Sequence, residues 1–171
     1  MLPESPTIDQ VRKFFANDKF ATKAAGCTIV EAAKGHAVCE MPLDRIHYNA
    51  QGGVMGGAIF TLADFCLAIA CNVNEQPTVS VSNTIEFLSA AKGDELIAEC
   101  TVDKSGRKLG FYTVDVSDNT GRKVARMTAT CYRESPGRDS TTLAALLNLQ
   151  IKRSAHPESL PKKFSKLGVA H

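Results

Sequence analysis

The residue most out of place in this 171-residue chain is Asp64. It stands in GGAIFTLADFCLAIAC, residues 56–71, a run made mostly of Ala, Ile, Phe, Leu and Cys. Burying a lone carboxylate is costly unless it is hydrogen-bonded, paired or neutralised. Desolvation raises the pKa of such a group and makes it a stronger base near neutral pH. A buried aspartate that merely caps or pairs with local backbone fits the same run, so the run alone leaves both readings open. The segment HYNAQGGVMGG, residues 47–57, leads into it. Free backbone N–H groups at a helix start favour negative charge, and glycine lets a ligand come close to the backbone. Such a start can hold the oxyanion of a tetrahedral acyl-transfer intermediate. Asn49 can orient a water or polarise a carbonyl through its amide. On the glycines alone, a turn that simply opens a helix is the simpler account.

These residues need a scaffold, and the rest of the chain describes one. Thr7 and Gln10 have capping-box spacing and predict a short helix over about 8–18, with Val11, Phe14 and Phe15 on one face. Strand-like runs follow at 25–33 and 36–43, split by a turn at Lys34 and Gly35. Residues 56–71 are apolar all round rather than striped, which predicts a buried helix. Four further strand-like runs come at about 77–88, 94–104, 108–117 and 122–133. In the first, Val79, Val81, Ile85 and Phe87 alternate with Ser80, Ser82, Thr84 and Glu86, a period of two. Turn signals at 92–94, 105–106 and 118–121 separate these runs. The expectation is an α+β domain over 1–134: a meander of long antiparallel strands wrapped around one long buried helix. Beyond it, residues 135–171 read as a separate extension, a helix starting near Ser140 and then a basic tail.

Composition narrows the function. A net charge of +2 is too small to argue for nucleic acid. No run approaches the ~20 apolar residues of a membrane span. The first ten residues lack the basic start and apolar run of a secretory signal, so a cytoplasmic location is expected. The six cysteines, Cys27, Cys39, Cys66, Cys71, Cys100 and Cys131, are scattered without metal-ligand spacing and read as reduced core residues, with no metal site. Cys66 follows Asp64 by two positions, ~200° around a helix, and reads as core rather than nucleophile.

The stretch NAQGGVMGGAIFTLAD, residues 49–64, resembles the Asp-type hotdog-fold acyl-CoA thioesterases, the phenylacetyl-CoA (PaaI-type) and hydroxybenzoyl-CoA enzymes among them. The segment 79–116 is similar to the same family's pattern of a strand ending in "fl.pa..Gd.l" and two strands beyond it. The resemblance covers about residues 8–133. It implies hydrolysis of an acyl-CoA thioester to a carboxylic acid and free CoA, with no cofactor besides the coenzyme A of the substrate. It implies that Asp64 is the base or the nucleophile, that the Gly56 N–H points at the thioester oxygen, that Asn49 positions water or substrate, and that Ser80 places a hydroxyl near the attacking water. It further implies a homodimer, often paired into a tetramer, in which Asn49 and Gly56 of one subunit meet Asp64 of the other. Met55, Gly56 and Gly57 stand where the family commonly has His-Gly-Gly, so the Gly56 backbone donor and the Gly57 substrate-binding position are kept and a polar group beside the site is lost. His47 matches a frequent family histidine, although a local hydrogen bond explains a loop histidine as well. Lys92, Lys104, Arg107 and Lys108 are expected at turns, where they are candidates for the phosphates of CoA or ordinary solvated charges.

Two other functions fit the same pattern. One is a non-catalytic acyl-CoA sensor or regulator, favoured by Met55. The other is a hotdog dehydratase or hydratase, disfavoured because no His occurs within 56–71.

Overall fold

Thr7 caps the first helix as its spacing predicts. Its hydroxyl accepts from the Gln10 N–H while the Gln10 side chain accepts from the Thr7 N–H, closing the capping box of α1, Ile8–Phe15. The computed structural model describes residues 2–134, so the boundary drawn at 134 and the extension over 135–171 lie outside the described residues. Arg12 ties α1 down by donating from Nε and Nη2 to the carbonyl of Ile29, at 3.0 and 2.9 Å. A π-helical turn, Phe20–Ala24, leads to β1, Thr28–Ala33, and β2, His36–Pro42. Gly35 turns the chain between them with φ +73°; a Cβ there would lie 2.6 Å from Val102 Cγ1, so only glycine fits.

A 3-10 turn, Arg45–His47, precedes α2, Gly56–Asn72. The remaining strands are β3, Thr78–Phe87; β4, Glu95–Ser105; β5, Leu109–Asp118; and β6, Lys123–Arg133. All pair antiparallel in one six-stranded sheet, in the order β1-β2-β4-β5-β6-β3. Leu62, Leu67 and Ile69 of α2 bury themselves against Met41, Leu96, Val114 and Met127 of the strands. The hotdog architecture read from the sequence is the one observed. Among the described residues, no helix is long and apolar enough to cross a membrane.

Three details differ from expectation. First, the four later strands are not one meander. β4, β5 and β6 are, but β3 lies at the far edge beside β6. Residues 88–94 therefore cross the sheet rather than form a hairpin. Second, α2 is not covered all round: Gly57, Thr61, Asp64, Ala68 and Asn72 form a stripe that stays partly open. Helical spacing of three and four puts them on one face. Third, the alternation in β3 gives the inner face correctly beyond Val81, at Ile85 and Phe87, but not before it. Val81 is a bulge: Ser80 pairs with Cys131 but Ser82 pairs with Thr130. The extra residue changes the phase. Thr78, Ser80, Asn83, Ile85 and Phe87 turn to the α2 side, and Val79 and Val81 are left exposed.

Candidate active site

Asp64 sits in the middle of α2, half-buried, on the open stripe. Asn83 Nδ2 donates to its Oδ1 at 3.1 Å. Burial pushes the carboxyl above the ordinary carboxylate range; the Asn83 hydrogen bond pulls it back, and the charge of Asp18 adds a further push upward. Asp64 and Ser80 line one cleft of about 230 Å³, together with Leu67, Cys71, Asn72 and Thr78. Asn72 builds its far wall. Its Nδ2 donates to the carbonyls of Ala68 and Thr78, and its Oδ1 accepts from the Thr78 N–H, so the end of α2 is pinned to the start of β3. That link sets where Ser80 lies relative to Asp64.

The glycine-rich approach forms a second cleft, of about 410 Å³, lined by Asn49, Gly53, Gly56, Phe87 and Leu88 among others. Gly52, at φ +79°, closes a tight loop. Asn49 Oδ1 accepts from the N–H groups of Gln51 and Gly53, at 2.9 and 3.1 Å. Its oxygen is spent on the loop, which leaves Nδ2 as the donor it can offer a ligand. Gly56 and Gly57 open α2, where N–H groups have no intrahelical acceptor. Met55 caps the helix by its backbone only, with its side chain exposed. The Phe87 ring closes over Gly56: a Cβ there would meet Cζ at 3.0 Å. Asp64 follows Gly56 by eight positions on the helix, ~12 Å of axis. Within one chain, Asn49 and Gly56 line one cleft and Asp64 and Ser80 another.

Other expected site residues lie elsewhere. His47 is buried and committed at both nitrogens: Nδ1 accepts from the Asp44 N–H at 2.8 Å, so Nε2 carries the proton and donates to the Ala25 carbonyl at 3.0 Å. It braces the loop and has no atom left for a substrate. Lys92 and the pair Arg107 and Lys108 flank opposite ends of β4, ~33 Å apart for an eleven-residue strand, so they cannot grip one set of phosphates within a chain. Lys108 lies over the Tyr132 ring on the sheet face away from α2. Lys104 is within β4 rather than at a turn. Lys92 does adjoin the Gly56 cleft, whose wall runs to Ala91. Cys66 points into the core, its thiol donating to the carbonyls of Ala37 and Ala98 and pushed far above its ordinary pKa by Cys39 and by burial.

Three residues escaped the sequence reading. Asn83 has no role in the sequence reading, yet it falls in phase with Ile85 and Phe87, and a carboxamide on that apolar face was the signal available. Phe87 read only as one more apolar strand position. Asp118 lay within a recognised turn signal, yet its work is wider than a turn. Its carboxylate accepts from the N–H groups of Lys92, Gly93, Thr120 and Arg122 and from the Thr120 hydroxyl. These bonds hold its pKa well below the carboxylate range, the Thr120 side chain contributing most. They also fasten residues 88–94, which wall the Gly56 cleft, to the β5–β6 turn.

Residues 51–125 match the family model described as the thioesterase superfamily. Human acyl-coenzyme A thioesterase 13 is 37% identical over 103 residues, covering 58% of this chain and 74% of its own. The Escherichia coli acyl-coenzyme A thioesterase PaaI is 33% identical over 112 residues, covering 65% of this chain and 79% of its own. The solved PaaI structure superposes with a TM-score of 0.66 at 27% identity, over 75% of this chain and 97% of that one. A Streptococcus mutans protein solved bound to acetyl CoA gives a TM-score of 0.61 at 25% identity, over 66% of this chain and 91% of that one. With this fold, the match across the helix that carries Asp64, and relatives of this identity covered over most of their length, the chain belongs to the thioesterase superfamily.

Proposed function

We propose that the protein hydrolyses acyl-CoA thioesters, with Asp64 as general base and coenzyme A present only as part of the substrate. The observation that carries this reading is a desolvated carboxylate at the centre of α2, opening on a cleft and held by a single carboxamide. In the reaction, Asp64 takes a proton from water as the water oxygen bonds the thioester carbonyl carbon. The Gly56 N–H and the Asn49 Nδ2 donate to the oxygen that becomes negative. Ser80 lies in the Asp64 cleft, in place to hold the water. When the C–S bond breaks, the proton passes from Asp64 to the CoA thiolate.

The two clefts act as half-sites, ~12 Å apart along one helix, and support a dimer in which each chain completes the other's site. The exposed edge strand β3 supports it too, since a ten-residue unpaired edge carrying exposed Val79 and Val81 is an open template for strand pairing. Lys92, beside the Gly56 cleft, is the candidate cation for CoA phosphate, and Arg107 and Lys108 drop behind it. Six buried free thiols support a reducing compartment such as the cytoplasm. Thiol release from acetyl-, hexanoyl-, palmitoyl- and phenylacetyl-CoA tests the activity. Wild type is expected to turn over at least one of them, and a folded Asp64→Asn variant none at a comparable rate. Binding of all four without release by the wild type would instead identify a sensor.

A further inference from the structure

Three asparagines stand around the two half-sites, and two are locked. Asn49 Oδ1 is held by two backbone N–H groups. Asn72 is held at both ends of its amide. Asn83 differs. Its Nδ2 donates to Asp64, while its Oδ1 is buried with no hydrogen-bond partner among the described residues. Nothing at that second end fixes the amide against a half-turn about χ2, a broad and roughly two-fold torsion. Its one side-chain hydrogen-bond partner among the described residues is the group that changes protonation during the reaction proposed above. A carboxylate only accepts hydrogen bonds; the carboxylic acid has a proton to donate.

Resting on the reading of Asp64 as base, we propose that Asn83 is a two-state positioning residue: its Nδ2–H donates to the Asp64 carboxylate before water is deprotonated, and the amide then turns over so that Oδ1 accepts from the Asp64 carboxylic acid until the proton leaves with the CoA thiol. One side chain thereby keeps the base aimed at the cleft through both halves of the cycle. A leucine or methionine at position 83 would fill the same space and do neither. The other titratable groups facing Asp64 are Asp18, from the stretch after α1, and the thiols of Cys71 on α2 and Cys131 on β6. No described Lys or Arg forms an ion pair with Asp64. Among the described residues, Asn83 is thus the side chain that donates a hydrogen bond to the carboxylate.

The test uses the full chain and whichever of the four acyl-CoAs named above turns over fastest. In Asn83→Leu, kcat is expected to fall ~10–100-fold with KM within about twofold, and the acid limb of the kcat/KM profile to move to higher pH, because the donor that favours the carboxylate is gone. A merely structural asparagine would lower the melting temperature and leave the limb in place, which would overturn the proposal. A second readout needs no variant to be active. With asparagine side chains labelled in ¹⁵N, the Asn83 resonance, assigned by its loss in Asn83→Leu, is expected to titrate with the midpoint of that acid limb. In Asp64→Asn it is expected to stay flat. An Asn83 signal indifferent to pH in the wild type overturns the two-state role even if Asp64 proves essential. Full activity in Asp64→Asn would refute the base itself, which is a separate failure.

Discussion

Asp64 and His47 share the feature of being polar groups withdrawn from water, and they come out differently because of what their neighbours leave unspent. His47 has both ring nitrogens satisfied by backbone and no capacity to act on a ligand. Among the described residues, the Asp64 side chain has one hydrogen bond and a cleft in front of it. Replacing Asp64 by Asn is expected to lower kcat by ~10²–10⁴-fold, the usual scale of general base catalysis, with little change in KM. The melting temperature should hold or rise at neutral pH. Because the folded-state pKa is raised above the unfolded value of ~3.9, the ionised carboxylate costs stability above the raised value. That cost fades as pH falls through it, so the gap in melting temperature between variant and wild type should close on acidification. Calorimetry from pH 8 to pH 4 checks this. For His47→Ala the expectation is the reverse: a loss of ~1–3 kcal/mol from the two orphaned backbone groups, with activity tracking the folded fraction. A large loss of kcat per folded molecule would return His47 to the chemistry.

Two elements set the geometry of the half-sites. α2 carries Gly56 at its start and Asp64 two turns later, and the 88–94 crossover brings the wall of the Gly56 cleft to that start. Asp118 is the anchor of the crossover, so Asp118→Asn is expected to lower the melting temperature and raise KM more than it lowers kcat. Its pH signature opposes that of Asp64. With its folded pKa depressed, Asp118 contributes stability that is present above ~3.9 and lost as pH falls toward its folded value. The deficit of Asp118→Asn should be largest near neutral pH and shrink in acid. Gly56→Ala probes the other wall. The backbone donor survives and helix propensity improves by up to ~1 kcal/mol, but the new methyl displaces the half-exposed Phe87 ring. Stability is expected to hold while turnover drops; unchanged kinetics would show that Phe87 does not shape the oxyanion end.

At the scale of the whole molecule, the split site proposed above would make oligomerisation a matter of chemistry. Asp64→Asn and Asn49→Ala disable different half-sites, so each homodimer is expected to be nearly inactive. Mixed dimers regain one intact site from the undamaged halves. If subunits exchange freely, an equal mixture should recover about a quarter of the wild-type sites. Recovery of no activity after verified exchange would mean that each chain carries its own complete site. Sedimentation at micromolar concentration should likewise find no folded monomer, and Val81→Lys, a charge on the exposed β3 edge, should weaken the assembly and the activity together.

Much of this molecule is written in local sequence. The capping box at Thr7, the turn at Gly35 and the starts and ends of the strands are legible because period, caps and turn residues act over a few positions. The exceptional status of Asp64 is legible too, since a carboxylate in an apolar helix conflicts with its surroundings whatever the fold. Relations between distant segments were decided only in three dimensions. β3 chose β6 over β4 because strand pairing is a long-range competition, and the seven-residue crossover is long enough to permit either. One bulge at Val81 put the two ends of β3 out of phase, since a single-residue slip exchanges the faces. Before the bulge it turned Thr78 and Ser80 inward and left Val79 and Val81 outside; beyond it the alternation holds, and Asn83, in phase with Ile85 and Phe87, reaches Asp64. His47 could by type contact a substrate or make a local hydrogen bond, and only its burial between Asp44 and Ala25, which spends both nitrogens, decided for the second. Gly56 and Asp64 are close in sequence and belong to one motif, but the rise of the helix holds them ~12 Å apart, a distance that a straight helix cannot close within one chain.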